Sequence, residues 1–213
     1  MRWNGFQAVS QLIQAEPEQL VQALANPKQA EVLEFYLVCT HGSRDPCCGL
    51  LGIPIFRTLT ESAHRPVLQV SHLGGHRFAP VLAAFPEWRF FGHLNPDSCL
   101  ELDRCLKDEQ VFLEGYRGHG QLKAHLQTVE AVFWQKFGSK LKEVKQVDGN
   151  KKSASIKLSL QDGSTFLYEA RFHELEYRSF KSCKDFRKNK ESTLSLPVLE
   201  SLKGPLLTPT VTT

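Results

Sequence analysis

The run VLEFYLVC, Val32 to Cys39, is apolar, aromatic and β-branched, and it ends at a loop that contains glycine and further cysteines. Such a run reads as a buried strand, and with the helical and strand segments that follow the chain is read as α/β (α+β). Its C-terminal end delivers Cys39 into the segment THGSRDPCC, where His41, Cys47 and Cys48 follow. A second short strand, RPVLQVSH, ends at His72, and FAPVLAAFPEWRFFGHL reads as two strands turning at Pro86 and Glu87. Four segments have helical patterning: EPEQLVQALANP, GLLGIPIFRTLTESA, PDSCLELDRCL and GQLKAHLQTVEAVFWQKFG, the last stopped by Gly138. Pro54 is expected near the first turn of its helix, where a missing N–H is harmless. The predicted order is α, β, α, β, β, β, α, α.

Beyond Gly138 the texture becomes alternating, with turn signals at Asp148-Gly149 and Asp162-Gly163, and it predicts three antiparallel strands. The tail from Ser192 holds three prolines and shows no period, so its end is expected to be disordered. The division is a helical segment over 1–30, an α/β domain over 31–140, an antiparallel β extension over 141–190 and a tail over 191–213.

The 213 residues suffice for a packed core, and 23% charged residues with a formal net charge of +3 give no argument for nucleic acid or a membrane surface. The N-terminus lacks the apolar core and cleavage site of a signal peptide, and no apolar run is long enough to span a bilayer, so a cytoplasmic protein is expected. In a reducing compartment the six cysteines point to burial, metal binding or redox chemistry rather than to a disulfide framework.

Candidate ligands cluster after two predicted strands: Cys39 and Cys48 in a C-x₈-C pattern, then His72 and His76 in His-Leu-Gly-Gly-His. Loops beyond strand C-termini are where α/β domains assemble sites. Gly74 and Gly75 permit backbone conformations that turn both imidazoles toward one point. Two thiolates and two imidazoles suit either a tetrahedral Zn²⁺ or a [2Fe–2S] cluster held by two cysteines on one iron and two histidines on the other. A metal-free thiol redox protein acting through Cys47 or Cys48 is the third reading. Leu73 stands where a zinc metalloprotease carries its glutamate, and Cys39 and Cys48 are not a C-x-x-C pair. Cys99 and Cys105 read as core or surface residues of a helix. The basic stretch Arg178 to Lys190 is either a solvated segment or a dock for an acidic partner.

The phrases CTHGSRDPCCGLLGIPIF and SHLGGHRFAPVLAAFPEWRFFGHL resemble the sucrase/ferredoxin-like family over about residues 34 to 140. The resemblance implies a thioredoxin-like ferredoxin domain with a [2Fe–2S] cluster on Cys39, Cys48, His72 and His76, with Cys47 as the alternative to Cys48. It implies an electron-transfer protein working with a redox partner, rather than a stand-alone catalyst. Histidine ligation raises the reduction potential relative to an all-cysteine cluster, and His72 and His76 would be the proton-bearing ligands in coupled electron and proton transfer. Arg44 and Arg77 flank the two ligand pairs as donors that stabilise the reduced cluster, or as solvated charges.

Overall fold

The computed structural model describes residues 34–43, 46–110 and 112–205. The predicted helix over EPEQLVQALANP lies outside the described residues, as does the end of the tail. The first sheet has the strand order β2-β1-β3-β4-β5, with β1 Phe35–Cys39, β2 Val67–Val70, β3 Val81–Phe85, β4 Arg89–Gly92 and β5 Tyr116–His119. Helix α1, Pro46–Ser62, makes the crossover that lets β1 and β2 run parallel. Strand β3 is antiparallel to β1, and β4 to β3. This βαβ unit followed by an antiparallel hairpin is the thioredoxin-like arrangement, and the hairpin turns at Pro86 and Glu87 as its sequence predicts.

Helix α2, Pro96–Lys107, starts at a capping box in which Asn95 and Ser98 satisfy each other's backbone N–H groups, with Pro96 in the first turn. Helix α3, Ala124–Phe137, stops at Gly138, whose φ of 58° is left-handed. It faces both sheets: Trp134 packs on Tyr116 of β5 with ring centroids 5.0 Å apart, and Phe133 packs on Tyr168 of the second sheet at 4.8 Å. One hydrophobic core therefore runs from Tyr36 and Val38 through Phe91 and Leu102 to Ile156, Leu158 and Ala170.

The second sheet is four-stranded and antiparallel, in the order β6 Leu141–Gly149, β7 Ser153–Leu160, β8 Thr165–Ser179 and β9 Ser192–Lys203, with the short helix α4, Cys183–Arg187, between β8 and β9. Three of these strands match the sequence expectation. The fourth adds to it: Ser192–Lys203, in the tail whose sequence shows no period, forms a strand that pairs along β8 from Ser179↔Ser192 to Glu169↔Lys203. Pro197 sits in this strand opposite Glu174, and an edge strand tolerates a proline because one row of its backbone groups makes no ladder bonds. Pro54 is a correction, since it lies in the interior of α1 rather than in its first turn. It is on the exposed face, where water can hydrate the Leu50 carbonyl that loses its partner. Strand β5 was not foreseen. Among the described residues no helix is long and apolar enough to cross a membrane.

Because Phe133 is 1% exposed and joins the two sheets, Phe133→Ala is expected to lower the unfolding free energy by about 3 to 5 kcal/mol. Urea unfolding followed by both tryptophan fluorescence and circular dichroism should remain a single transition. Two separated transitions would show that the sheets do not share one core.

Candidate metal centre

Cys39 ends β1, is 2% exposed, and stands opposite Val70 in the parallel β1–β2 register. That pairing brings the loop after β1 beside the loop after β2, and the Cys39 thiol points at the Ser71 carbonyl with Sγ 3.8 Å from the oxygen. Cys48, also 2% exposed, lies in the first turn of α1. Two glycines allow the helix to come this close. A Cβ at Gly52 would stand 2.1 Å from the Cys39 carbonyl oxygen, and one at Gly49 would stand 3.0 Å from the Gly42 Cα. Both glycines lie on the buried face of α1 with Cys48, Ile55 and Leu59, spaced as neighbours on one helix face.

On the opposing loop, Gly74 and Gly75 have φ of 77° and 68°, left-handed values that reverse the chain and carry His76 back toward His72. The two imidazole rings have centroids 4.6 Å apart and planes inclined at 32°. His76 Nδ1 lies 3.5 Å from the Cys48 Sγ, and the Cys47 thiol, half-buried, is 3.6 Å from the His76 carbonyl oxygen. Cys39 and Cys48 pack in one small apolar cluster with Ala79 and Val81, flanked by Cys47, Leu73 and Phe78. The loops thus bring all four predicted donors into one neighbourhood and leave Cys47 beside them. Among the described residues, no group of three or more His, Cys, Asp or Glu side chains is gathered tightly enough for one ion. His72 is exposed and His76 half-buried, so the thiols form the inner half of the constellation and the imidazoles the outer half.

Arg44 lies outside the described residues. Arg77 places its guanidinium carbon 4.4 Å from the Phe78 ring centroid and donates from Nη2 to the Tyr177 hydroxyl of β8 at 3.3 Å. This bond ties the loop that carries His76 to the second sheet. Arg117 of β5, which sequence reasoning missed, also lies over Phe78, with its guanidinium carbon 4.3 Å from the centroid. Burial, and then the neighbouring Arg77 charge, hold its pKa below the ordinary arginine value. Its only sequence signal is an arginine between Tyr116 and Gly118, which singles out nothing.

The remaining predicted residues lie apart. His41 is exposed in the loop after β1. Cys99 and Cys105 belong to the core side of α2. Cys99 is fully buried with its Sγ 3.0 Å from the Pro96 carbonyl oxygen, and burial pushes the thiol up to about 11, so it is an inert core thiol. Cys183 opens α4.

A family model described as sucrase/ferredoxin-like matches residues 3–118. Among curated proteins, the chain is similar to altered inheritance of mitochondria protein 32 of Meyerozyma guilliermondii, 33% identical over 97 residues that make up 40% of this chain and 34% of that protein. It is also similar to the protein of the same name from Candida glabrata, 23% identical over 99 residues, or 39% and 32% of the two chains. The matched region spans about a third of the length of these relatives. Among solved structures it is similar to a thioredoxin-like [2Fe-2S] ferredoxin from Aquifex aeolicus, 15% identical over 37% of this chain and 84% of that one, with a TM-score of 0.32. A cysteine-to-serine variant of that ferredoxin scores 0.32 at 16% identity, over 36% and 89% of the two chains.

The contact of Gly52 with the Cys39 carbonyl sets a test of the frame. A methyl group at 2.1 Å from a backbone oxygen must push α1 off β1, so Gly52→Ala is expected to cost about 1 to 3 kcal/mol of stability and to loosen the thiol pair. Faster labelling of Cys39 and Cys48 by a thiol reagent in the folded protein, read by peptide mass mapping, should accompany the loss. Unchanged stability with unchanged labelling would show that the glycine seam does not hold the centre.

Proposed function

The chain belongs to the sucrase/ferredoxin-like family, whose model covers more than half of it, and from that premise we propose that it binds a [2Fe–2S] cluster and passes single electrons to and from a redox partner protein. The observation that carries this reading is the pairing of the donors. Two buried thiols, Cys39 and Cys48, share one apolar cluster, and two imidazoles, His72 and His76, lie ring against ring beside them. A donor set divided into a thiol pair and an imidazole pair fits two irons, and the chemistry supplied by such a cluster is reversible one-electron exchange at a higher potential than an all-cysteine cluster of the same type.

The chain's own residues set the conditions for that chemistry. Burial of Cys39 and Cys48 among Ala79, Val81 and Leu73 keeps water from the thiolate side. The exposed His72 and half-buried His76 make the imidazole side the one a partner can approach. Leu50, Leu51 and Ile53 lie in α1 just after the cysteines and are 75%, 43% and 38% exposed, an apolar rim of the kind that docks a protein partner. The basic stretch Arg178 to Lys190 begins next to Tyr177, which holds Arg77, and suits an acidic surface on that partner.

Protein purified without air should contain equimolar iron and acid-labile sulfide, show visible absorption, and give an electron-spin signal on reduction. Cys39→Ser and Cys48→Ser are expected to abolish or strongly shift these signals, and His72→Ala and His76→Ala to deplete them. Cys47→Ser should leave them in place, since the Cys48 thiol is the one against the His76 ring. Stoichiometric zinc without iron or sulfide would overturn the cluster in favour of a structural zinc site. Thiol-disulfide activity that survives replacement of both histidines would favour a metal-free protein.

A further inference from the structure

Three buried or half-buried arginines pack against the first sheet, and two of them have carboxylate partners. Arg65 pairs with Glu87 at 2.6 Å, and Arg89 with Glu130 at 3.1 Å. Arg117 makes no ion pair among the described residues, and its Nη1 is buried without a hydrogen-bond partner there. A desolvated guanidinium with no counter-charge is an expensive arrangement, and removing it to water would be the cheaper solution.

The fold nevertheless builds a place for it. Gly75 and Gly92 form the walls: a Cβ at Gly75 would stand 2.4 Å from the Arg117 Nη2, and one at Gly92 would stand 2.9 Å from its Cδ. Gly75 immediately precedes His76, so the guanidinium lies against the backbone of the loop that carries His76, and its stacking partner Phe78 packs on the Cys39 and Cys48 cluster. Phe78 supplies an aromatic face. Arg77 shares that face and donates from Nη2 to the neutral Tyr177 hydroxyl, so it is held by the second sheet, whereas Arg117 is held by the glycine walls.

We propose that Arg117 is a fixed positive charge that tunes this centre: a positioning residue that stabilises the electron-loaded state and so raises the reduction potential. The inference rests on the cluster reading above. In the step concerned, one electron passes from a reduced partner protein to the cluster, no covalent bond forms or breaks, and Arg117 keeps its proton throughout. The centre gains one negative charge, and a nearby cation in a water-poor surrounding favours that state over the oxidised one.

The test is a spectroelectrochemical titration of the wild-type chain, R117Q, R117M and R117K, each assayed first for iron and acid-labile sulfide. With the cluster content of the wild type, R117Q and R117M are expected to shift to a lower midpoint potential, while R117K stays close to the wild-type value. A neutral variant that is fully loaded and titrates at the wild-type potential overturns the proposal, and so does R117K shifting as far as R117Q. Should both neutral variants lose the cluster while R117K keeps it, the requirement for charge is supported. Loss of the cluster in all three assigns Arg117 a packing role and overturns it. A wild-type chain without iron and sulfide overturns the cluster reading and this inference with it, and the metal assay separates that failure from a shift in potential.

Discussion

The parallel pairing of β1 with β2 is the constraint from which the centre follows. Parallel neighbours end on the same side of a sheet, so the residues after Cys39 and after Val70 leave the sheet together. The crossover between them must be a helix, and that helix begins beside the end of β1 only because Gly49 and Gly52 carry no side chain at the contact. Cys48 is fixed by that contact, and Cys39 by the strand. The left-handed pair Gly74-Gly75 then folds the second loop back, and His76 arrives against Cys48. No single residue of the four donors is placed by its own preferences.

Much of this could be read from the sequence because its determinants are local. The apolar run ending at Cys39, the hairpin at Pro86, the stop at Gly138 and the two glycines between His72 and His76 each act within a few residues, and each appears in the structure where the pattern puts it. The elements that were missed depend on distant partners. Strand β9 contains Pro197, which argues against a strand until β8 is known to offer it an edge. Strand β5 is four residues long, contains Gly118 at a φ of 123°, and pairs with β4 across a register shift between Phe90 and Phe91. Nothing in YRGH announces it. Arg117 gives no signal in the sequence either, because its packing depends on Gly75 and Gly92, which are distant in the chain.

The second sheet is more than an appendage to the first. Helix α3 gives one face to Tyr116 and another to Tyr168 and Phe172, and the core continues through it. Strand β8, at fifteen residues, extends past β7, and its far end carries Tyr177 to Arg77. One hydrogen bond thus joins the end of this strand to the loop that carries His76.

The distribution of charge and burial around the four donors has a direction. The thiol side is closed by Ala79, Val81 and Phe78, which carries the Arg77 and Arg117 guanidiniums on its ring, while the imidazole side opens to solvent at His72. Under the proposed reading, negative charge developing at the centre would be poorly solvated among the buried thiols and would meet the cations carried on Phe78. The exposed edge is the one at His72, and the buried one is that of Cys39 and Cys48.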